Sequence, residues 1–358
     1  MAQIRGLFDQ VSIGTITTKN RICIPPMVIY GCSDDSGMAT EANVQHYARL
    51  AKGGAGLVIQ EATCVTKRGR LSLDQLGIWS DAHIPGLKRI VAAVHAQGCP
   101  VFVQLHHAGA MGIDEEHLCP SIHHFQGKYG AYVSKEMTME EIAEVREAFV
   151  RAGHRAYLAG YDGVELHGCH SYLLCQFLNR RINRRKDVYG TEPIRLVLEI
   201  AEGIRNVTSP SFVIGIRLGG FEPTLEDGIF HAKVLAENGI QFLDISYGFS
   251  GEMDTNAPGD PGIPDIIRAA SAIRSAVGIP VFAVGGIRLP QDAEHILQKT
   301  NVDMVDVGRS ALVDPEWPNR AKQGQQPGKC LDCKICQWRL DAKKCPGRKL
   351  LYQQEKKL

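Results

Sequence analysis

The stretch FAVGGIRLPQDAEHILQKTNVDMVDVGRSALVDP, residues 282–315, decides the architecture. A short β-branched run ends in Gly285-Gly286 and opens into a helical pattern. A second run ends in Gly308-Arg309 and again opens into a helix. Two strand-then-helix units in succession imply parallel strands joined by crossover helices. Working outward, the same unit recurs along the chain. The strand candidates are RICIPPM (21–27), GLVIQEA (56–62), PVFVQLHH (100–107), GVELHG (163–168), FVIGIRL (212–218), FLDISYG (242–248), PVFAVGG (280–286) and VDMVDVGRS (302–310). Each is short and apolar, as a strand buried on both faces must be.

Helical patterns lie between them. In EEIAEVREAFVRAGHRAYLAG (140–160), Ile142, Val145, Phe149, Ala152 and Ala156 form one stripe, preceded by a Thr138–Glu141 capping box. The pattern GIFHAKVLAENG stops at Gly239. Eight such units predict an α/β fold of the closed TIM (β/α)8 barrel type, which takes about 250 residues before insertions. A doubly wound sheet would want a glycine fingerprint after its first strand, and CIPPMVIYGCSDD has none. The chain of 358 residues is read as a barrel over 1–325 and a short Cys-rich extension over 326–358. Two connections are long, 108–137 and 247–265, and both follow strand ends, where barrel enzymes build their sites.

Composition excludes several classes. Hydrophobic residues are 44%, charged residues 22% and the net charge +1, so charge indicates neither a nucleic-acid nor a membrane-surface partner. The opening MAQIRGLFDQ lacks the apolar core of a signal peptide, and no apolar run reaches spanning length, so a cytoplasmic protein is expected. Eleven cysteines in that compartment argue against a disulfide framework.

The polar residues at the strand ends carry the functional signal: Met27, Glu61, Gln104, His106, His107, His167, His170, Arg217, Tyr247 and Arg309, with Gly285, Gly286 and Gly308. So many polar groups around one rim imply a bound ligand. The glycines after strands seven and eight lie where barrels bind phosphate on backbone N–H groups, and Arg309 adds a bidentate cation; tight turns are the alternative. The motif HGCHSY (167–172) admits three readings. It could be half of a metal site, a satisfied core, or two N–H donors aimed at a carbonyl with Tyr172 as proton source.

The chain resembles the old yellow enzyme family of flavin-dependent ene-reductases, especially its 2,4-dienoyl-CoA reductase and 2-enoate reductase branch. TKNRICIPPM, GLVIQEATCV, PVFVQLHHAG, MTMEEI, GYDGVELHGCHSYLLCQFLNRRINRRKDVYG, GIRLGGF, FAVGGI and VDVGRSALVDPEW follow in family order over nearly the whole chain. The resemblance implies resident FMN. Pro26 and Met27 would pack against the flavin, and Ala62, Gln104 and Arg217 would meet its isoalloxazine edge. Gly285, Gly286, Gly308 and Arg309 would cradle its phosphate. His167, also at the flavin, and His170 would bind the carbonyl oxygen of an α,β-unsaturated small molecule. Tyr172 would deliver the α-proton, Tyr30 would line the substrate pocket, and NAD(P)H would reduce the flavin. Relatives often form homo-oligomers. Val28 stands where many relatives carry Cys or Thr, and Ala110 where an arginine is common.

The tail spaces Cys330, Cys333, Cys336 and Cys345 as C-x2-C-x2-C-x8-C-P. Four thiolates suit a [4Fe–4S] cluster or, alternatively, Zn²⁺; unliganded cysteines are the third reading. A similar run in the resembling branch binds [4Fe–4S]. Those relatives continue into a nucleotide-binding domain, whereas this chain stops at Leu358, so a cluster would need an electron-donor protein or would be structural. An electron-transfer subunit and an oxidative demethylase are therefore rival functions. A Schiff-base aldolase is disfavoured because no predicted strand carries lysine. The group His117, Cys119, His123 and His124 in the 108–137 segment reads as part of an active-site lid, with a metal site as the alternative.

Overall fold

The computed structural model describes residues 5–127 and 130–356. Eight parallel strands close on themselves: β1 Ile22–Ile24, β2 Leu57–Cys64, β3 Val101–His106, β4 Gly163–Gly168, β5 Val213–Gly219, β6 Leu243–Ser246, β7 Val281–Val284 and β8 Met304–Asp306. All eight follow the predicted order. Several are shorter than the apolar runs. β1 stops at Ile24 because Pro25 and Pro26 have no N–H to continue a ladder.

Helices return the chain between strands: α1 Glu41–Lys52, α2 Ile84–His95, α3 Met139–Ala159, α4 Arg195–Asn206, α5 Leu225–Glu237, α6 Asp265–Ala276 and α7 Pro290–Lys299, with the short α8 Arg309–Val313 after β8. The capping box of α3 forms. Glu141 N–H donates to Thr138 Oγ1 at 3.1 Å, and Thr138 N–H to Glu141 Oε2 at 2.9 Å. The stripe predicted for α3 is buried, Ile142 through Ala156.

At the strand starts, Phe102, Phe242 and Phe282 stack with centroids 5.4 and 4.9 Å apart. An antiparallel hairpin, Val11–Ile13 with Ile16–Thr18, packs Val11 and Ile13 onto this layer and plugs that end. Gly215 makes room for the stack, since a β-carbon there would lie 2.0 Å from Phe242 Cε1. With one end plugged by apolar groups, the polar strand ends are left to form the site at the other.

The 108–137 segment carries its own β-structure, including the hairpin His124–Gly127 with Gly130–Val133. The tail runs back over the barrel mouth. Gly328 N–H donates to Asp314 Oδ2 at 2.8 Å, and the helix Pro346–Glu355 buries Leu351. Among the described residues no helix is long and apolar enough to cross a membrane.

Candidate active site at the C-terminal rim

Two cavities that share Met27 and Arg309 open at the C-terminal ends of the strands. The larger, about 510 Å³, brings together Pro26, Met27 and Tyr30 from the segment after β1, Ala62 of β2, Gln104 of β3, His167 of β4, and His170 and Tyr172 from the turn after β4. The smaller, about 210 Å³, gathers Arg217, Gly286, Gly308 and Arg309. Gly285 lines neither; a β-carbon there would meet Ile267 at 2.9 Å, so its lack of side chain serves packing against α6.

Under the rim lies a buried charged layer. Arg217 Nε sits 3.1 Å from Asp244 Oδ2, and its Nη2 3.9 Å from Asp306 Oδ2. Gln104 Nε2 donates to Glu165 Oε1 at 2.7 Å. Burial first, then the neighbouring Asp244 charge, pushes Glu165 and Asp306 well above the usual carboxylate range. Arg217 Nε, Glu165 Oε2 and both oxygens of Asp306 make no hydrogen bond of good geometry. Leaving such groups unmatched costs about 1–3 kcal/mol each, so a site with Arg217 and Asp306 on its wall favours a polar ligand. A planar heterocycle with carbonyl and N–H edges fits this donor and acceptor set. Gly286, at φ +65° with open space where a β-carbon would point, leaves backbone exposed at the end where a phosphate would lie.

The HGCHSY turn becomes a histidine chain. His106 Nδ1 lies 3.0 Å from His167 Nδ1, His167 Nε2 3.1 Å from His170 Nδ1, and His170 Nε2 2.7 Å from Ser246 Oγ. Burial above all holds all three rings neutral, with the Arg217 charge adding to it at His167 and His170; His106 and His170 are pushed down to about 3. A neutral imidazole offers one donor and one acceptor, so the chain has a direction. His170 and Ser171 take left-handed backbone, φ +59° and +64°, which turns both histidines onto the same side. Tyr172 sits edge-on to His106 and His167, centroids 4.6 and 4.8 Å away, and burial pushes its hydroxyl up to about 12.

Ser246, as partner of His170, was not singled out by sequence reasoning, although it ends strand six; His106 was noted only as a rim residue. The tail was also missed as a wall. Lys334, Trp338 and Arg339 line the larger cavity, and Arg339 Nη2 donates to Tyr30 Oη at 2.8 Å with its guanidinium 4.7 Å over the ring. Asp332 pairs with Arg309 and, at 2.8 Å, with Arg288 at the mouth of the smaller cavity.

Cys330, Cys333, Cys336 and Cys345 all line one small pocket of about 30 Å³. Among the described residues, the group whose candidate ligand atoms lie within 4.8 Å of one another is His167, Cys169 and His170, and no three tail thiols do so. The 108–137 group does not converge either. His117 stacks on Tyr132, centroids 4.1 Å apart, and Cys119 is buried.

Comparison with known proteins matches residues 6–327 to the NADH:flavin oxidoreductase / NADH oxidase family. The chain belongs to this family. It is therefore an NAD(P)H-dependent oxidoreductase of the flavin class, and the family supports FMN as its flavin. An NADPH dehydrogenase of Geobacillus sp. (strain WCH70) is 36% identical over 322 residues, covering 88% of this chain and 93% of that one. An NADH oxidase of Thermoanaerobacter brockii is 36% identical over 354 residues, covering 94% of this chain. The chain spans only 54% of that relative's length. Among solved structures, an old yellow enzyme homologue from Zymomonas mobilis aligns with TM-score 0.78 and 26% identity, covering 94% of this chain and 99% of that one. The family match ends ahead of Cys330, so the tail cysteines lie outside it.

Proposed function

We propose that this flavin oxidoreductase is an FMN-dependent ene-reductase acting on α,β-unsaturated carbonyl compounds. The observation that carries the reading is the convergence of His167, His170 and Tyr172 on the cavity that also holds Pro26, Met27, Ala62 and Gln104. FMN held here, with NAD(P)H as reductant, would supply the hydride chemistry. Gln104 and Arg217 would hold its heterocycle, the Arg217 cation favouring negative charge there, and Gly286, Gly308 and Arg309 would hold its phosphate. For the Arg309 guanidinium to meet a phosphate it exchanges its pairing with Asp332.

His167 and His170 stabilise the oxygen charge that develops as the alkene is reduced. Both rings are already engaged, so binding a carbonyl between them opens the 3.1 Å His167–His170 contact. His170 keeps its Ser246 bond as the outer anchor. Tyr172 remains a protonated phenol at neutral pH and gives its proton to the α-carbon. A metal reading of the same turn is weakened by Cys169, whose thiol is fully buried and pushed well above its ordinary value, whereas a metal ligand must be a thiolate.

The resemblance of the tail favours the dienoyl-CoA and enoate reductase branch, and we read 326–358 as a [4Fe–4S]-binding extension of a 1–325 barrel. A tetrahedral zinc site would draw four sulfurs to within about 3.8 Å of each other, from a Zn–S bond of roughly 2.3 Å. The four tail cysteines line one common pocket, which supports reading them as a single ligand set. Electrons through that cluster from a partner protein are the alternative to direct NAD(P)H reduction, and a homo-oligomer is the expected assembly. The test is a spectrum of the purified protein, then anaerobic NADH or NADPH, then an enone. A colourless protein would refute the flavin assignment. A flavin that NAD(P)H does not bleach would favour the electron-transfer or demethylase reading.

A further inference from the structure

A third cavity, of about 260 Å³, lies against the larger active-site cavity and shares Tyr30, Leu312, Trp338 and Arg339 with it. Its wall is cationic. Arg49 comes from α1, and Arg339 and Arg348 from the tail. The single carboxylate on the wall, Asp341, accepts the backbone N–H of Lys343 at 2.9 Å, which leaves three guanidiniums against one engaged acid. Two N–H donors here are buried and without a partner, Trp338 Nε1 and Arg348 Nε. Burial and the Arg49 and Arg348 charges hold His46, also on the wall, neutral. Converging cations with unmatched donors are costly unless an anion completes them. None of these residues is given a part in the redox chemistry outlined above; Tyr30, Leu312, Trp338 and Arg339 border both chambers.

We propose that this chamber is an anion subsite, which holds a phosphate or carboxylate group of the molecule whose reactive end lies in the catalytic cavity. The inference rests on the ene-reductase reading for its reactive end and extends it to the substrate class. The anion has two sources, the 2′-phosphate of NADPH and an acidic group on the unsaturated acceptor. Arg339 lines both chambers and so lies between the anion and the reactive end.

The test uses the flavin-loaded enzyme and Arg49→Leu/Arg348→Leu, residues that line the third chamber and not the catalytic cavity. First, pyrophosphate is titrated while tryptophan fluorescence is read, with Trp338→Phe as the signal control. Saturable quenching that Trp338→Phe abolishes, and that the double Leu variant weakens about tenfold or more, is expected. Absence of binding by the parent enzyme, or equal binding by parent and double variant, overturns the subsite. This arm holds even if alkene reduction is never observed, so its failure and that of the ene-reductase reading are separable.

Second, anaerobic half-reactions compare NADPH with NADH, and a neutral enone with the same enone bearing a carboxylate or phosphate. A loss of roughly tenfold or more confined to NADPH assigns the anion to the nicotinamide; one confined to the acidic acceptor assigns it to the substrate. The neutral enone and NADH should be turned over as before. Equal losses for charged and neutral partners would mean that the arginines support the tail fold, and the proposal fails. Arg49→Lys/Arg348→Lys should restore most of the lost affinity, which a purely structural role of the guanidiniums would not predict.

Discussion

Replacing Tyr172 with Phe isolates the proton step. The ring contacts with His106 and His167, at 4.6 and 4.8 Å, survive the substitution, so folding stability should change by less than about 1 kcal/mol. Only the hydroxyl is lost. A positioned general acid contributes about 10²–10⁴-fold, most when its pKa lies near the working pH. Tyr172 is pushed up to about 12, which keeps the proton in place but makes it a reluctant donor at neutral pH. The lower half of that range is therefore expected, a loss of about 10²–10³-fold, or about 3–4 kcal/mol of barrier. Anaerobic stopped-flow absorbance separates the two halves. Flavin bleaching by NAD(P)H should keep its rate, while reoxidation by an enone should slow by that factor. In the parent enzyme, reoxidation should be flat in pH from 6 to 9, well below the titration of the phenol. Equal loss in both halves, or reoxidation unchanged, would remove Tyr172 from the proton-donor role.

Other perturbations test separate parts of the structure. Ser246→Ala removes the outer anchor of His170 and should raise KM for the carbonyl acceptor about tenfold while leaving flavin reduction intact, as steady-state kinetics with each substrate in turn will show. Glu222 is buried beside Cys175 and Asn179 and pushed up to about 8, chiefly by burial. The folded state therefore binds its proton more tightly than the unfolded chain, and that stabilisation is full below about pH 4.5 and lost as pH rises through 8. Urea melts between pH 5 and 9 should show this decline, to which the buried, raised carboxyls Glu61, Glu165 and Asp306 add, and Glu222→Gln should remove only the Glu222 share. Gly215→Ala drives a methyl into Phe242 and should cost about 1–3 kcal/mol in the same melts, without altering the flavin spectrum. Cys345→Ser should abolish stoichiometric iron and acid-labile sulfide while the barrel keeps its flavin; full iron retention would count against Cys345 as a ligand.

The barrel was legible because its signal is local and repeated. Eight apolar runs, the Thr138–Glu141 cap and the stripe from Ile142 to Ala156 each depend on near neighbours in the chain. Strand ends such as Gln104, His167 and Arg217 were legible too, because a parallel barrel gathers all its C-terminal ends on one rim. The limits appear where partners are distant. His170 meets Ser246 from β6, 76 positions away, and Tyr30 meets Arg339, 309 positions away. No periodicity links such pairs.

Pattern alone thus settled the (β/α)8 architecture and the rim on which the polar strand ends gather, and it singled out the HGCHSY block while leaving its three readings open. Spacing also grouped the four tail cysteines. Packing decided what those groups do. It placed Gly285 under Ile267 rather than on a cavity wall, and bent His170 and Ser171 into left-handed backbone so that three neutral imidazoles form one chain. It also folded the tail across the barrel mouth, where Trp338, Arg339 and Arg348 build a cationic chamber beside the reactive cavity. Local propensity and hydrophobic period are properties of neighbouring residues. Hydrogen-bond direction, charge balance and cavity shape arise only when segments remote in the chain are buried together.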